Sequence, residues 1–495
     1  MAAPAPRRGS QDGLRWDVGD FDCVPVWTRE PALDAIERVC RQELGVRAHE
    51  ACKVSFFAAG AFNKLYLVEA RSGNASAVLM RVSLPVYPGF KTRGEVATLR
   101  WVRRNTDIPV PGVIAFDDSN DNDIGFEWII MQKMPGVPLY REWRSLPWEK
   151  KIAITTRVAE FQAQLAGQDG SRLFAGIGTL REREEQNNFD LVSGVAQATG
   201  TLACPAEPVR AGAGEDGARV AKTTRQPQRA GCNKEAKAAK LKTVKAMKPD
   251  RLVSHEFFLG DHVQYDIPRG PFAKSSDWLT TELQIIIHEQ EAIISAAGDE
   301  SDIEDADEVL QAARKLVSII PRVFPPPLTT EEESREPTCL YHTDLNLSNI
   351  LVDDDGEMTA IVDWECVSAM PLWLTTRMPK FLTDQVRDEE PIRDRYSDEA
   401  STSNKTSGSR EDSLDNEGKN KLYWIHLMEY EVTQLSRVYE KTLLELWPAW
   451  PIQDSACKVD MYDAVTQCGV GFFIAKIDRW AEGVATGNAV RFNDA

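Results

Sequence analysis

The chain reads as an α+β protein in two lobes, a small one built on an antiparallel sheet and a larger, mainly helical one. Two observations predict this. Short β runs crowd residues 54–131 with one helix among them, and helical periodicity dominates from residue 148 onwards. Pro135-Gly136 separates the two textures, so the lobe boundary falls near residue 135. The expected organisation is an N-terminal extension over 1–45, a small lobe over 46–134 and a large lobe over 135–495.

Each element has its signal. The first 20 residues are polar and expected to be loose, and Ala32–Leu44 is an amphipathic helix stopped by Gly45. Strands are expected at Val54–Phe57, Leu65–Glu69, Ala77–Val82, Val113–Phe116 and Glu127–Met131. Thr92–Arg104 interrupts them as a helix, with Val96, Leu99, Val102 and Arg103 three or four apart. In the large lobe, Trp148–Leu165, Ser276–Ala296, Glu304–Ile319, Leu422–Leu446 and Cys457–Val484 carry helical spacing. Two stretches break the pattern. Residues 201–250 hold 11 Lys/Arg against 5 Asp/Glu, and the whole of 185–250 has few large apolar residues to offset the entropy of ordering. It reads as a disordered insertion; a basic docking segment and a translated intron are the alternatives. Ser397–Asn420, with only Ala400 and Leu414 apolar, reads as a flexible loop.

Composition narrows the function. Of 495 residues, 58 are Lys or Arg and 76 are Asp or Glu, a net charge of -18 that argues against nucleic acid and for a cationic or metal-chelated ligand. No apolar run approaches the roughly 18 residues of a membrane helix, and the N-terminus lacks the apolar core of a signal peptide. Nine cysteines, odd in number and without a C-x-x-C pair, read as reduced thiols, so a cytoplasmic setting is expected.

The stretch that carries chemistry is Leu340–Glu365. Its skeleton is His342-x-Asp344-x4-Asn349, the β run Ile350–Val352, a turn containing Asp355-Gly356, the β run Met358–Val362, and Asp363. The Asp-Gly turn predicts a hairpin, which would bring Asn349 and Asp363 to one rim with Asp344 in the loop before them. Moving a γ-phosphoryl group needs magnesium, which takes hard oxygen ligands, and a carboxylate to orient the attacking hydroxyl and accept its proton. Asn349 and Asp363 suit the first task and Asp344 the second, while His342, grouped with Asp344 at the catalytic loop, would more naturally brace it. The plain alternative makes Asp344 and Asn349 loop caps.

On these residues the chain resembles the aminoglycoside phosphotransferase family of the protein-kinase-like superfamily, in particular its fungal members. The likeness runs over about 50–180 and 251–450, through FNKLYLVEA, MRVSLPV, EVATLRWVR, IPVPGVIAFD, GFEWIIMQKMPGVPL, EFQAQL, DIPRGPF and VDWECVSAMPLW. The resemblance implies a protein-kinase-like two-lobe fold with ATP in the cleft, Asp344 as the catalytic base, and Asn349 and Asp363 as magnesium ligands. It also implies that the hairpin Phe57–Lys64, with Gly60 and Asn63, covers the phosphates. Arg81 then stands at the phosphate-gripping lysine position with Glu95 as its ion-pair partner, and the main chain of Gln132 and Met134 meets the adenine. The hairpin has one glycine where kinases carry G-x-G-x-x-G, and arginine differs from lysine in bulk and geometry, so R81K is expected to raise activity or keep it within about tenfold. Thr92-x-x-Glu95 also fits a capping box, and Lys64 fits either a phosphate contact or a strand-edge lysine.

Acceptor recognition would fall to the large lobe. Acidic clusters at Asp299–Glu308, Glu331–Glu333 and Arg387–Asp394 could receive an amine, or be ordinary helix starts and loops. Glu365 could serve magnesium or a substrate amine, or be bound locally; Trp364 and Trp373 read as core, and His255, His262 and His288 lack metal spacing. The expected activity is ATP- and magnesium-dependent phosphorylation of a small-molecule hydroxyl, on an amino sugar, amino alcohol or related metabolite, by a monomer or weak homodimer. A nucleotide-binding pseudokinase or scaffold is the alternative. A protein kinase is disfavoured because Asp363 is followed by Trp-Glu and no A-P-E follows.

Overall fold

The computed structural model describes residues 10–19, 23–70, 77–167, 170–182, 247–296, 299–326, 335–398, 417–452, 455–488 and 490–494. The N-terminal stretch is more ordered than its polarity suggests. β1 (Leu14–Val18) and β2 (Cys23–Trp27) form an antiparallel hairpin. Leu14, Trp16 and Trp27 pack on the small-lobe core, so alternating large apolar side chains outweigh the polar average.

The small-lobe sheet holds β3 (Cys52–Ala59), β4 (Asn63–Ala70), β5 (Val78–Ser83), β6 (Val113–Asp117) and β7 (Glu127–Gln132). The order is β3-β4-β5-β7-β6, antiparallel throughout. β5 is buried along its whole length, which its unbroken apolar run Val78-Leu79-Met80 anticipates. One face packs Tyr66, Met80, Val82 and Ile130 against Ile36 and Cys40 of helix α1 (Leu33–Glu43). The other sets Leu79, Ile129 and Met131 against Val96 of helix α2 (Phe90–Asn105).

The large lobe follows through β8 (Val137–Pro138), α3 (Leu139–Glu142) and α4 (Trp148–Ala166). Then come β9 (Phe174–Ala175), β10 (Gly178–Glu182), β11 (Met247–Pro249), α5 (His255–Phe258), α6 (Ser275–Ala296) and α7 (Glu300–Val323). β12 (Pro337–Tyr341), β13 (Ile350–Val352), β14 (Met358–Ile361) and β15 (Ser368–Pro371) precede the last helices, α8 (Lys421–Leu446), α9 (Ala456–Cys468) and α10 (Ile474–Thr486). The fold is thus α+β and kinase-like in order: antiparallel sheet first, helices after.

Three expectations change. A second sheet, β11-β10-β15-β12-β9, lies in the helical lobe; its strands run two to five residues, too short for periodicity to reveal. The single helix expected over Cys457–Val484 is α9 plus α10, broken where Gly471 adopts φ 78°. The insertion expected at 185–250 gives up its end to β11. Residues 183–246 lie outside the described residues, as do 399–416 of the loop expected at 397–420. At that loop's edges, Asp398 bridges Lys419 and Asn420 caps α8 through Tyr423 N at 3.3 Å.

Two cores hold the large lobe. Leu435, Tyr439 and Leu443 of α8 join Ile154, Val158 and Phe161 of α4, while Trp278, Leu316, Met461 and Trp480 centre the packing of α6, α7, α9 and α10. Trp364 and Trp373 are core residues, as expected. Cys40, Cys52, Cys339, Cys366, Cys457 and Cys468 are free thiols. Among the described residues no helix is long and apolar enough to cross a membrane.

Candidate active site

The β13–β14 hairpin registers Ile350 with Ile361, and Val362 N donates to Asn349 O at 2.9 Å. Asn349 and Asp363 therefore flank the same end of the ladder. The far end closes because Asp353 Oδ1 accepts from Asp355 N at 3.1 Å and Glu357 N at 2.9 Å, and because Gly356 takes φ 73°. A Cβ at Gly356 would meet only the movable end of Leu146, 2.5 Å from Cδ2, so it is the dihedral that calls for glycine. β8 adds a third strand through Leu351–Pro138 and Val352–Val137, tying the lobe junction to the hairpin.

β12 delivers His342-Thr343-Asp344 to the same place. Asn349 Nδ2 donates to Asp344 O at 2.8 Å and Oδ2 at 3.1 Å, which leaves Oδ1 as the remaining acceptor of that amide. Asp344 Oδ1 meets Lys380 Nζ at 2.7 Å. His342 does not reach the cleft. Its Nε2 meets Val362 O at 3.2 Å, its ring sits edge-on to Trp364, and burial pushes it down to about 4, so it is neutral at ordinary pH. Its grouping with the catalytic residues is corrected: it braces the hairpin.

Asp363 is the strained member. It holds φ 62°, as Cys366 holds φ 60°, a conformation that costs a non-glycine residue about 1 kcal/mol or more. Burial pushes Asp363 up to about 6 and the charge of Glu365 adds to this, against the pull of Arg81 and Lys91. Arg81 Nη2 lies 3.6 Å from Asp363 Oδ1.

On the small-lobe side Arg81 Nη1 pairs with Glu95, which burial pushes up to about 7 in spite of that partner. Since α2 begins at Phe90, Thr92 is inside the helix and the capping-box alternative does not apply. Glu365 is bound locally, by Arg81 Nη2, by Lys91 Nζ at 2.5 Å and by Asn63 Nδ2 at 2.9 Å. Burial disfavours its charge, but Lys91 and Arg81 outweigh that and hold it down to about 2.

Two of the nucleotide-side expectations need correction, and a third narrows. Asn63 has its Oδ1 taken by Ser83 at 2.7 Å and Lys91 at 3.1 Å, so its amide orders Glu365 and is not open to a ligand. The Gly60 N–H closes its own turn on Asn63 O at 2.9 Å, although nothing lies within 4 Å of a Cβ there and the glycine leaves open space in the cleft. The Gln132 N–H is taken by Gly112 O at 2.9 Å, whereas no described residue takes the main chain of Met134. Lys64 contacts Glu30 at 2.5 Å over the Trp27 ring, away from the cleft.

Residues 53–207 and 258–374, more than half of the chain, match the family described as the phosphotransferase enzyme family (APH). The chain belongs to this family. Over 114 residues the chain is 30% identical to subtelomeric hrmA-associated cluster proteins of two Aspergillus fumigatus strains, a match covering 23% of this chain and 22% of each relative. It thus spans about a fifth of the length of those curated relatives. Among solved structures it is similar to a streptomycin–ATP–APH(2'')-IIa ternary complex, at 9% identity and TM-score 0.38, covering 94% of this chain and 99% of that one. It is also similar to macrolide 2'-phosphotransferase MphH from Brachybacterium faecium, at 11% identity and TM-score 0.35, covering 93% and 99%.

The chain has a cleft of about 1250 Å³ lined by Asp344, Asp363, Arg81, Glu95 and Met134. Leu65, Leu79, Met131, Leu351 and Val362 line it too, as an apolar slot beside Met134. The lining also includes Ser254, Glu256, Glu282, Tyr462 and Asp463. Glu282 is 4% exposed; Trp278 Nε1 donates to its Oε1 at 2.7 Å, and its Oε2 has no partner among the described residues. Burial pushes Glu282 well above the usual carboxylate range, and Glu256 adds to this. Ser254 Oγ is likewise buried and unpartnered.

Sequence reasoning missed this part of the lining. Asp299 caps α7 through Ser301 N at 3.0 Å, Arg387 and Asp388 pair with α8, and Glu331–Glu333 lie outside the described residues. A signal was available: Glu282 falls on the apolar face of α6 with Trp278, Leu279 and Ile286. Lys91 was missed as well; it precedes Glu95 by four on the buried face of α2.

Proposed function

We propose that this phosphotransferase moves the γ-phosphoryl group of ATP to a hydroxyl of a small, amine-bearing molecule with magnesium as cofactor. One observation carries the reading: the Val362 N to Asn349 O bond closes the hairpin so that Asn349 and Asp363 share a rim with Asp344, which Asn349 itself holds. In this reading Asp344 orients the acceptor hydroxyl and takes its proton as its oxygen bonds to the γ-phosphorus. The bond from that phosphorus to the bridging oxygen breaks, and the electron pair leaves with ADP.

The donor set fits magnesium. Asn349 Oδ1 and the Asp363 carboxylate are hard oxygens, and Asp363, raised by burial and by Glu365, is a group that a cation would relieve. When bound, magnesium would neutralise phosphate oxygens. Among the described residues no group of three or more His, Cys, Asp or Glu is arranged for a metal, which suits an ion that draws most of its ligands from phosphate and water. The small lobe would take the nucleotide, with adenine in the slot beside Met134, and the large lobe the acceptor. Glu282 Oε2, Ser254 Oγ and Glu256 support an amine there, since they provide acceptors without a counter-cation among them.

The test is a screen of metabolite pools with MgATP for products about 80 Da heavier, the mass of an added phosphoryl group. The parent should form such a product, and D344A and D363A should not. Magnesium-dependent nucleotide binding without turnover on any acceptor would leave only a binding protein.

A further inference from the structure

Arg81 stands where the family resemblance expects lysine, and its surroundings supply a reason. One oxygen of Glu365 gathers donors from three small-lobe elements: Asn63 at the start of β4, Arg81 on β5 and Lys91 on α2. The other terminal nitrogen of Arg81 is on Glu95. The guanidinium therefore spans two carboxylates, one on α2 and one just beyond the β13–β14 hairpin. A planar fork can do this, and a single ammonium on a flexible stem cannot hold both in one geometry.

Lys91 completes the arrangement. It is 2% exposed and its carboxylate partner is Glu365, so each keeps the other from being an unpaired buried charge. Among these five groups Arg81 and Lys91 balance Glu95 and Glu365. Asp363 remains as the carboxylate left over, at the longer distance of 3.6 Å from Arg81.

The geometry assigns Glu365 as a positioning residue for the phosphate end of the cleft: with Glu95 it fixes both ends of the Arg81 fork, and Lys91 makes that buried carboxylate affordable. The assignment rests on the phosphotransferase reading above. It also revises the expectation for R81K, because lysine would abandon one of the two anchors.

Calorimetry with MgATP and with adenosine, on the parent, E365Q, R81K and the double variant, tests this. Losing one charge-assisted anchor should weaken MgATP about 10- to 100-fold and leave adenosine unchanged, because adenosine does not use the fork. R81K should cost as much on the parent and little more on E365Q, since the fork then has one anchor already gone. Equal losses for both ligands, independent losses in the double variant, or full MgATP affinity in E365Q would overturn the assignment. Should E365Q not fold, K91M/E365Q removes both charges together and carries the same comparison. A parent that binds neither ligand would instead bring down the phosphotransferase reading itself.

Discussion

Two groups of side chains at the cleft handle charge differently. In the first group Arg81, Lys91, Glu95 and Glu365 pair among themselves, and Asp344 is held by Lys380 and Asn349. In the second group Glu282 Oε2 and Ser254 Oγ have no partner among the described residues; Arg81 Nε and Glu95 Oε2 of the first group lack one too, but their side chains are already ion-paired. A buried polar atom left unpaired costs about 1–3 kcal/mol, whereas a paired one roughly breaks even. The first group is therefore held by its own ion pairs, while no ion pair is formed by Glu282 among the described residues. Under the proposed function, the difference would let the fold preset affinity for the co-substrate and leave acceptor selectivity to a carboxyl that lacks a charged partner.

This contrast can be broken or sharpened by experiment. The largest effect is expected from D344N, which keeps the shape of the loop but removes the base; kcat should fall by about 10³-fold with little change in nucleotide affinity. A comparable loss of nucleotide binding would mean that the loop, not the carboxylate, was damaged. Next is the pH dependence of magnesium binding. With Asp363 pushed up to about 6, protons compete with the cation below that value, so affinity measured calorimetrically should fall about tenfold per pH unit below 6 and level off above it. D363N should bind weakly and show no such slope.

Smaller, and of opposite sign for stability and function, is E282Q. The native protein keeps the Glu282 proton at a pH where the unfolded chain has lost it, so parent stability declines as pH rises above the usual carboxylate range. Glutamine keeps an acceptor for Trp278 without that penalty. E282Q should gain about 1 kcal/mol over the parent in denaturant titrations at pH 8, less at pH 5, while its acceptor KM rises about tenfold. An unchanged KM for the acceptor found by screening would remove Glu282 from recognition. The smallest effect is expected from K380M, since the Lys380–Asp344 pair is half exposed on both sides; kcat should stay within about tenfold.

Much of the chemistry was legible in the chain because it is local. Asp344, Asn349 and Asp363 are linked by a tight hairpin whose Asp355-Gly356 turn is written in the sequence, and turn chemistry fixes which ends meet. The same local rule explains α2, α4 and α6, whose apolar spacing declares them. What failed to read through was set by distant partners. Asn63 looked like a phosphate contact until Ser83, Lys91 and Glu365 claimed its amide, and the Gly60 and Gln132 N–H groups were spent on Asn63 and Gly112. The short strands of the second sheet carry too few residues for a pattern and exist because β12 and β15 find each other.

By itself the sequence determined the order of sheet and helices, the hairpin that joins an amide to a carboxylate, and the residue types that suit a hard cation and a hydroxyl. All of these depend on neighbours within a few positions, where backbone preference and side-chain period act. Only the tertiary structure decided that Arg81 would be shared between Glu95 and Glu365, that Lys91 would be buried with them, and that Glu282 and Ser254 would face the cleft unpartnered. Those outcomes turn on which charges meet after residues up to 284 positions apart are packed together, and desolvation, which sets their value, is a property of the assembled interior.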